Sequence, residues 1–116
     1  MLPRHRAVAG FRALLVEDDP DNQRLIRVFL SLYGVNTDVA TDGKEGITMA
    51  LASDYDVILM DVQMPELDGL EATREVRRSF SPAHQPRIIA LTADAMKEDR
   101  ERCLAAGMDD YVSKPI

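Results

Sequence analysis

The sequence predicts an α/β fold, a parallel sheet with helices on both faces, and three observations lead there. Short apolar runs alternate along the chain with segments of helical period, the pattern of βαβ units. Three of the runs, Ala13-Leu14-Leu15-Val16, Val57-Ile58-Leu59-Met60 and Ile88-Ile89-Ala90-Leu91, are apolar without alternation, as in strands buried on both faces. Each of the three is followed at once by polar groups: Glu17-Asp18-Asp19, Asp61 and Thr92.

Ala13 to Val16 is the first strand. Pro20 suits the first turn of a helix with Asp19 as its cap. That helix has Leu25, Val28, Phe29 and Leu32 at helical spacing and stops near Gly34. Val35 to Ala40 is the second strand, and Asp42 to Ser53 a helix with Ile47, Ala50 and Leu51 on one face. Val57 to Met60 is the third strand, Leu67 to Ser79 a helix, and "FSPAHQP" a loop. Ile88 to Leu91 is the fourth strand. Asp94 to Ala106 is a helix closed by Gly107, and Tyr111-Val112 a short fifth strand. No helix follows before Ile116, so the domain is expected to lack a fifth helix and to be truncated at its C-terminus. Residues 1–10, "MLPRHRAVAG", read as a tail or linker, because their basic residues precede no apolar stretch of a signal peptide. Residues 11–116 form the single domain that 116 residues allow.

Apolar residues make up 46% and charged residues 29% of the chain, an ordinary globular balance. No run approaches the roughly 20 apolar residues that span a bilayer. The single cysteine, Cys103, rules out an internal disulfide, suits a reducing compartment and reads as a small core residue. A net charge of −6 argues against nucleic acid as a partner and favours a cation.

In an open α/β sheet, ligands bind outside the carboxyl ends of the strands. Glu17, Asp18, Asp61, Thr92 and Lys114 all fall at that rim. Carboxylates gathered so closely repel one another unless a counter-charge is present. A hard divalent cation with oxygen ligands, Mg2+ or Mn2+, supplies it and keeps open positions for water and a phosphoryl group. Lys114 adds a second positive charge. The set suits phosphoryl transfer with Asp61 as nucleophile. Taken singly, Glu17-Asp18-Asp19 could cap a helix, Thr92 could do the same, and Lys114 could be a surface lysine. Their concentration at one end of the sheet is what those separate roles leave unexplained.

The motifs "LLVEDDPDNQRL", "DVILMDVQMPELDG", "IIALTADA" and "AGMDDYVSKPI", in that order, resemble the receiver domain of two-component response regulators. The match runs from about Phe11 to Ile116, and the wording looks most like receivers attached to hybrid sensor histidine kinases. The resemblance implies a flavodoxin-like, CheY-like doubly wound sheet in the order 2-1-3-4-5. It implies that Asp61 accepts a phosphoryl group from a phosphohistidine. Glu17, Asp18, Asp61 and the backbone carbonyl of Gln63 would hold Mg2+. Thr92 would hydrogen-bond the phosphoryl oxygens and Lys114 would pair with them. Tyr111 would be the aromatic switch that turns inward with Thr92, and Lys114-Pro115 a cis peptide. Ala93 would leave the site open to a donor, and Gln63 and Asp94 would set the phosphoryl lifetime. Glu17 stands where many members have aspartate.

The implied partners are a histidine kinase or a histidine phosphotransfer domain, with a homodimer left open and no nucleic-acid or membrane contact by the domain. The implied location is cytoplasmic, including the cytoplasmic part of a membrane-bound sensor. The domain would catalyse only its own phosphorylation and dephosphorylation, while a parent chain could be a hybrid kinase. Two alternatives are weighed. A pseudo-receiver would bind partners without phosphorylation, which the complete acid set opposes. A phosphatase of the haloacid dehalogenase type needs a second aspartate two residues after the nucleophile, where this chain has Gln63.

Overall fold

β1 (Arg12–Val16) forms where the sequence is continuously apolar, and Ala13, Leu14, Leu15 and Val16 are all fully buried. The structure is a computed structural model that describes residues 11–62, 69–81, 85–92 and 97–113. After β1 come α1 (Pro20–Ser31), β2 (Asn36–Ala40), α2 (Gly43–Ala52) and β3 (Val57–Asp61). They are followed by α3 (Gly69–Ser79), β4 (Arg87–Thr92), α4 (Lys97–Ala106) and β5 (Asp110–Ser113). The strands make one parallel sheet in the order β2-β1-β3-β4-β5, the doubly wound order expected. The described residues hold four helices. The tail over 1–10 and the helix starts expected at Leu67 and Asp94 lie outside the described residues. Ends differ from expectation by a residue or more: β3 includes Asp61 and β4 includes Thr92.

Leu14 and Leu15 show why these strands read as unbroken apolar runs. Leu14 joins a cluster with Ile58, Met60, Ile88 and Ala90, closed by Leu70, Ala72 and Val76 of α3 and by Cys103 and Ala106 of α4. Leu15 faces the other way, into a smaller cluster with Ile26 and Leu91. Consecutive side chains in a strand point to opposite faces, so both must be apolar when both are covered. Cys103 is buried in the larger cluster, as its type suggested. Gly34 and Gly107 sit at φ 76 and 108, the left-handed conformation that ends a helix at little cost for glycine.

The orientation of α1 differs from expectation. Leu25, Val28, Phe29 and Leu32 face solvent, with Leu32 69% exposed, and Ile26 is the buried residue of the helix, beside half-buried Leu30. The helix has two apolar stripes side by side, and a polar contact accompanies the one that is buried. The Gln23 amide donates to the Glu17 carbonyl at 2.6 Å, and Gln23, Ile26 and Leu30 share one face. On α2, Ala50 is buried and Ile47 half-buried as expected, but Leu51 is exposed. The small residues Gly43, Gly46 and Ala50 form the face pressed on the sheet, and Leu51 lies a step around from it.

Two polar knots close the amino ends of the strands. In one, the Asp56 carboxylate accepts the Arg12 N–H at 2.8 Å, the Tyr55 hydroxyl donates to Asp38 at 2.7 Å, and the Arg12 guanidinium lies 4.9 Å from the Tyr55 ring centroid. In the other, Arg77 of α3 donates to the Gly107 carbonyl at 2.7 Å, the Pro86 carbonyl at 2.6 Å, Gln85 at 3.0 Å and Asp109 at 2.8 Å. The same Asp109 oxygen accepts the Ile88 N–H at 2.8 Å.

Ile26→Ala should lower unfolding free energy by about 2–4 kcal/mol in urea titration, and Leu25→Ala by less than about 1 kcal/mol. The reverse order would restore the apolar stripe first expected. Burial, and then the hydrogen bond and charge of Asp38, push the Tyr55 phenol above its ordinary pKa of 10.0. The folded state therefore holds that proton more tightly than the unfolded chain. The resulting stability is complete below the unfolded pKa and is lost as pH rises through the folded one. Tyr55→Phe should flatten the alkaline fall of the unfolding midpoint above about pH 10. An identical fall in both proteins would contradict this.

Candidate functional site

The carboxyl end of β1 leads straight into Glu17. Its N–H donates to the Ala40 carbonyl at 3.0 Å, which extends the β1–β2 pairing by one step. Its carboxylate accepts the Asp19 N–H at 3.1 Å, and its carbonyl accepts the Gln23 amide. Glu17 is 0% exposed, whereas Asp18 is exposed. Asp19 serves the helix instead, since its side chain accepts the Asp21 N–H at 3.2 Å and caps α1 ahead of Pro20. The acidic run thus divides, one residue to the helix and two to the rim.

β3 ends in Asp61, 2% exposed, and the Val62 N–H continues the pairing with β4 by donating to the Leu91 carbonyl at 3.1 Å. Glu17, Asp18 and Asp61 each bring a carboxylate oxygen to within 4.8 Å of the others. Oxygens around an octahedral ion of magnesium size lie roughly 3–4 Å apart, so small side-chain shifts would let all three share one cation. An all-oxygen anionic donor set is also what a hard divalent ion prefers.

The start of α3 is pressed against this rim. A Cβ on Gly69 would lie 2.1 Å from the Asp61 carbonyl oxygen and 2.9 Å from the Val62 Cα, so only glycine permits the approach. The Thr73 hydroxyl donates to the Gly69 carbonyl at 2.8 Å one turn on. Thr92 ends β4, 2% exposed, and pairs in register with Ser113. Asp61 is level with Leu91, so Thr92 lies one residue beyond Asp61 on the neighbouring strand. Tyr111 pairs with Ala90 and packs half-buried against the larger core.

Of the residues singled out from sequence, Glu17, Asp18, Asp61 and Thr92 come together at one rim, with Tyr111 on the next strand. Gln63, Lys114 and Pro115 lie outside the described residues, as do Pro65, Ala93 and Asp94. Gln23 and Gly69 were not anticipated. Gly69 had a signal, a glycine inside a helical pattern, which marks a close approach. Gln23 had none, being one polar residue among several on its helix.

The sequence model for "Response regulator receiver domain" matches residues 13–116. The chain belongs to that family. It is 46% identical over 112 residues to hybrid signal transduction histidine kinase I of Dictyostelium discoideum, covering 90% of this chain. It spans only 6% of that relative's length. Among solved structures it is similar to the receiver domain of sensor histidine kinase PA1611 from Pseudomonas aeruginosa, at a TM-score of 0.83 and 46% identity. That match covers 93% of this chain and 88% of the other, and magnesium is coordinated in the other's active-site cleft. It also resembles the Saccharomyces cerevisiae complex of the histidine phosphotransfer protein Ypd1 with the receiver domain of Ssk1. There the TM-score is 0.83 and the identity 30%, with 91% of this receiver and 79% of that chain covered. No helix among the described residues of this receiver is long and apolar enough to cross a membrane.

Gly69→Ala should cost about 1–3 kcal/mol of stability through overpacking and should displace the amide resonances of Asp61 and Val62. Unchanged resonances would mean that α3 does not set the position of the Asp61 backbone.

Proposed function

We propose that this receiver is the phosphoryl-accepting module of a phosphorelay, with Asp61 as the acceptor and a histidine kinase or histidine phosphotransfer domain as the donor or recipient. The observation behind it is the convergence of buried Glu17 and Asp61 with exposed Asp18 within 4.8 Å at the strands' carboxyl ends. The Dictyostelium relative and the yeast complex support the choice of partner, and a hybrid histidine kinase is the parent chain we favour.

An Asp61 carboxylate oxygen attacks the phosphorus of a partner's phosphohistidine. The phosphorus–nitrogen bond breaks, its electron pair stays on the imidazole, and Asp61 becomes an acyl phosphate. Mg2+, held by Glu17, Asp18, Asp61 and the Gln63 carbonyl, with Mn2+ as a substitute for the same oxygen donors, would offset the negative charge of the acids and the phosphoryl group. The Thr92 hydroxyl donates to a phosphoryl oxygen and the Lys114 ammonium pairs with another. The shift of Thr92 toward that oxygen frees Tyr111 to turn inward, which changes the surface beside α4 and β5. Asp18 is the exposed member of the acid set and the one through which a cation would enter.

Incubation with magnesium and acetyl phosphate should add a single phosphoryl group to the intact mass, and Asp61→Asn should abolish it. Retained labelling in the variant would move the acceptor elsewhere. No labelling of the wild type, with magnesium still bound, would make the chain an interaction module that works without phosphorylation.

A further inference from the structure

Tyr111 is held from outside by a cation. An Arg100 guanidinium N–H of α4 donates to the Tyr111 hydroxyl at 3.2 Å, and the guanidinium carbon lies 5.5 Å from the ring centroid. Both values are within the range of a hydrogen bond and a cation–π contact acting together. Arg100 is exposed and Tyr111 half-buried, so the pair closes over the ring at the surface. The strand register gives this contact its leverage. Tyr111 is level with Ala90, and Thr92 lies two residues on, so the side chains of Ala90, Thr92 and Tyr111 share one face of neighbouring strands. The far end of α4 is fixed in its turn, because Arg77 binds the Gly107 carbonyl and Asp109. Arg100 lies about two helical turns before that anchor.

We infer that Arg100 is a positioning residue that clamps Tyr111 in its resting orientation and so sets the threshold at which a phosphoryl group on Asp61 switches the domain. The inference rests on Asp61 as acceptor and Tyr111 as switch. A contact biases an equilibrium only when it exists in one of the two states. Arg100 meets that condition: it touches the hydroxyl and ring face presented at the surface, and an inward turn withdraws both. Loss of one exposed cation–π contact corresponds to a shift of about two- to fivefold in a two-state equilibrium.

The test follows ring-labelled tyrosines by NMR while the receiver is titrated with beryllofluoride, a phosphoryl mimic, in excess magnesium. Tyr111→Phe assigns the Tyr111 signal. Arg100→Met, close in length but uncharged, should lower the mimic concentration at half-switch by about two- to fivefold and leave magnesium binding without mimic unchanged. Its urea midpoint without mimic should fall only slightly, by no more than the lost contact accounts for, since the side chain is exposed. In a Tyr111→Ala background, followed by the Asp61 amide, Arg100→Met should have no effect. The clamp is overturned if Arg100→Met leaves the midpoint where it was, or shifts it equally without Tyr111. A wild type that takes a phosphoryl group on Asp61 while Arg100 proves inert refutes the clamp alone. A wild type that answers neither mimic nor acetyl phosphate overturns the acceptor reading together with the clamp.

Discussion

Everything at the carboxyl rim depends on the register of β3 between β1 and β4. Val16 is level with Met60, so Glu17 arrives level with Asp61, and Asp61 is level with Leu91, one residue short of Thr92. A slip of one residue would send alternate side chains to the opposite face and separate the acids. The apolar pattern does little to forbid such a slip, because Leu14 and Leu15, or Ile58 and Leu59, are acceptable on either face. Polar groups at the amino ends do the specifying. Asp56 just before β3 takes the N–H of Arg12 at the start of β1, which pins β3 to β1, and Asp109 just before β5 takes the N–H of Ile88 in β4, which pins β5 to β4. The two rims therefore divide the labour: hydrogen-bonded pairs at one end set the register, and the other end is left to an arrangement of charges that would not stabilise a fold by itself.

The strand ends were the legible part of the sequence. An apolar run that stops in Glu17-Asp18 or in Asp61 announces both a buried strand and what it presents, and the alternation of runs with helical segments is enough for a parallel sheet. Helix orientation was much less legible. On α1 two apolar stripes run side by side, Leu25-Val28-Phe29-Leu32 and Ile26-Leu30, and periodicity alone favours the richer one. The structure takes the poorer one, and a hydrogen bond from Gln23 to the end of β1 lies on that same face. That contact joins a helix to a strand end and leaves no mark on periodicity. Gly69 was half legible: its presence in a helical segment hints at a close approach, but only packing shows that the neighbour is the Asp61 backbone.

Leu25, Val28, Phe29 and Leu32 lie exposed on the face of α1 away from the Gln23 contact. Rolling α1 to bury them would break the Gln23 bond and turn Ile26 out of its cluster with Leu15 and Leu91. Isolated exposed apolar residues are ordinary, but so many on one helix form a patch. Its position next to the acidic rim leaves α1 contributing to the site at its N-terminus and to the surface along its length.

The balance of charges shows what the rim requires. Glu17 and Asp61 are buried with carboxylate oxygens no more than 4.8 Å apart, and like charges so close repel one another. Exposed Asp18 adds a smaller, better-screened contribution. Helices that follow strands in a parallel sheet begin at the carboxyl rim, so α1 and α3 point their partial positive ends at the acids. Each such terminus offers about 0.3–1 kcal/mol to a nearby anion, and the N–H that Asp19 donates to Glu17 is of similar order. An incoming phosphoryl group would add to the negative charge gathered there. A divalent cation at the meeting point of the three carboxylates would turn mutual repulsion into shared coordination. Such a cluster of acids is the kind of arrangement that functional sites keep, and under the phosphoryl-acceptor reading its use would be to gather a cation and, through it, an anion onto Asp61.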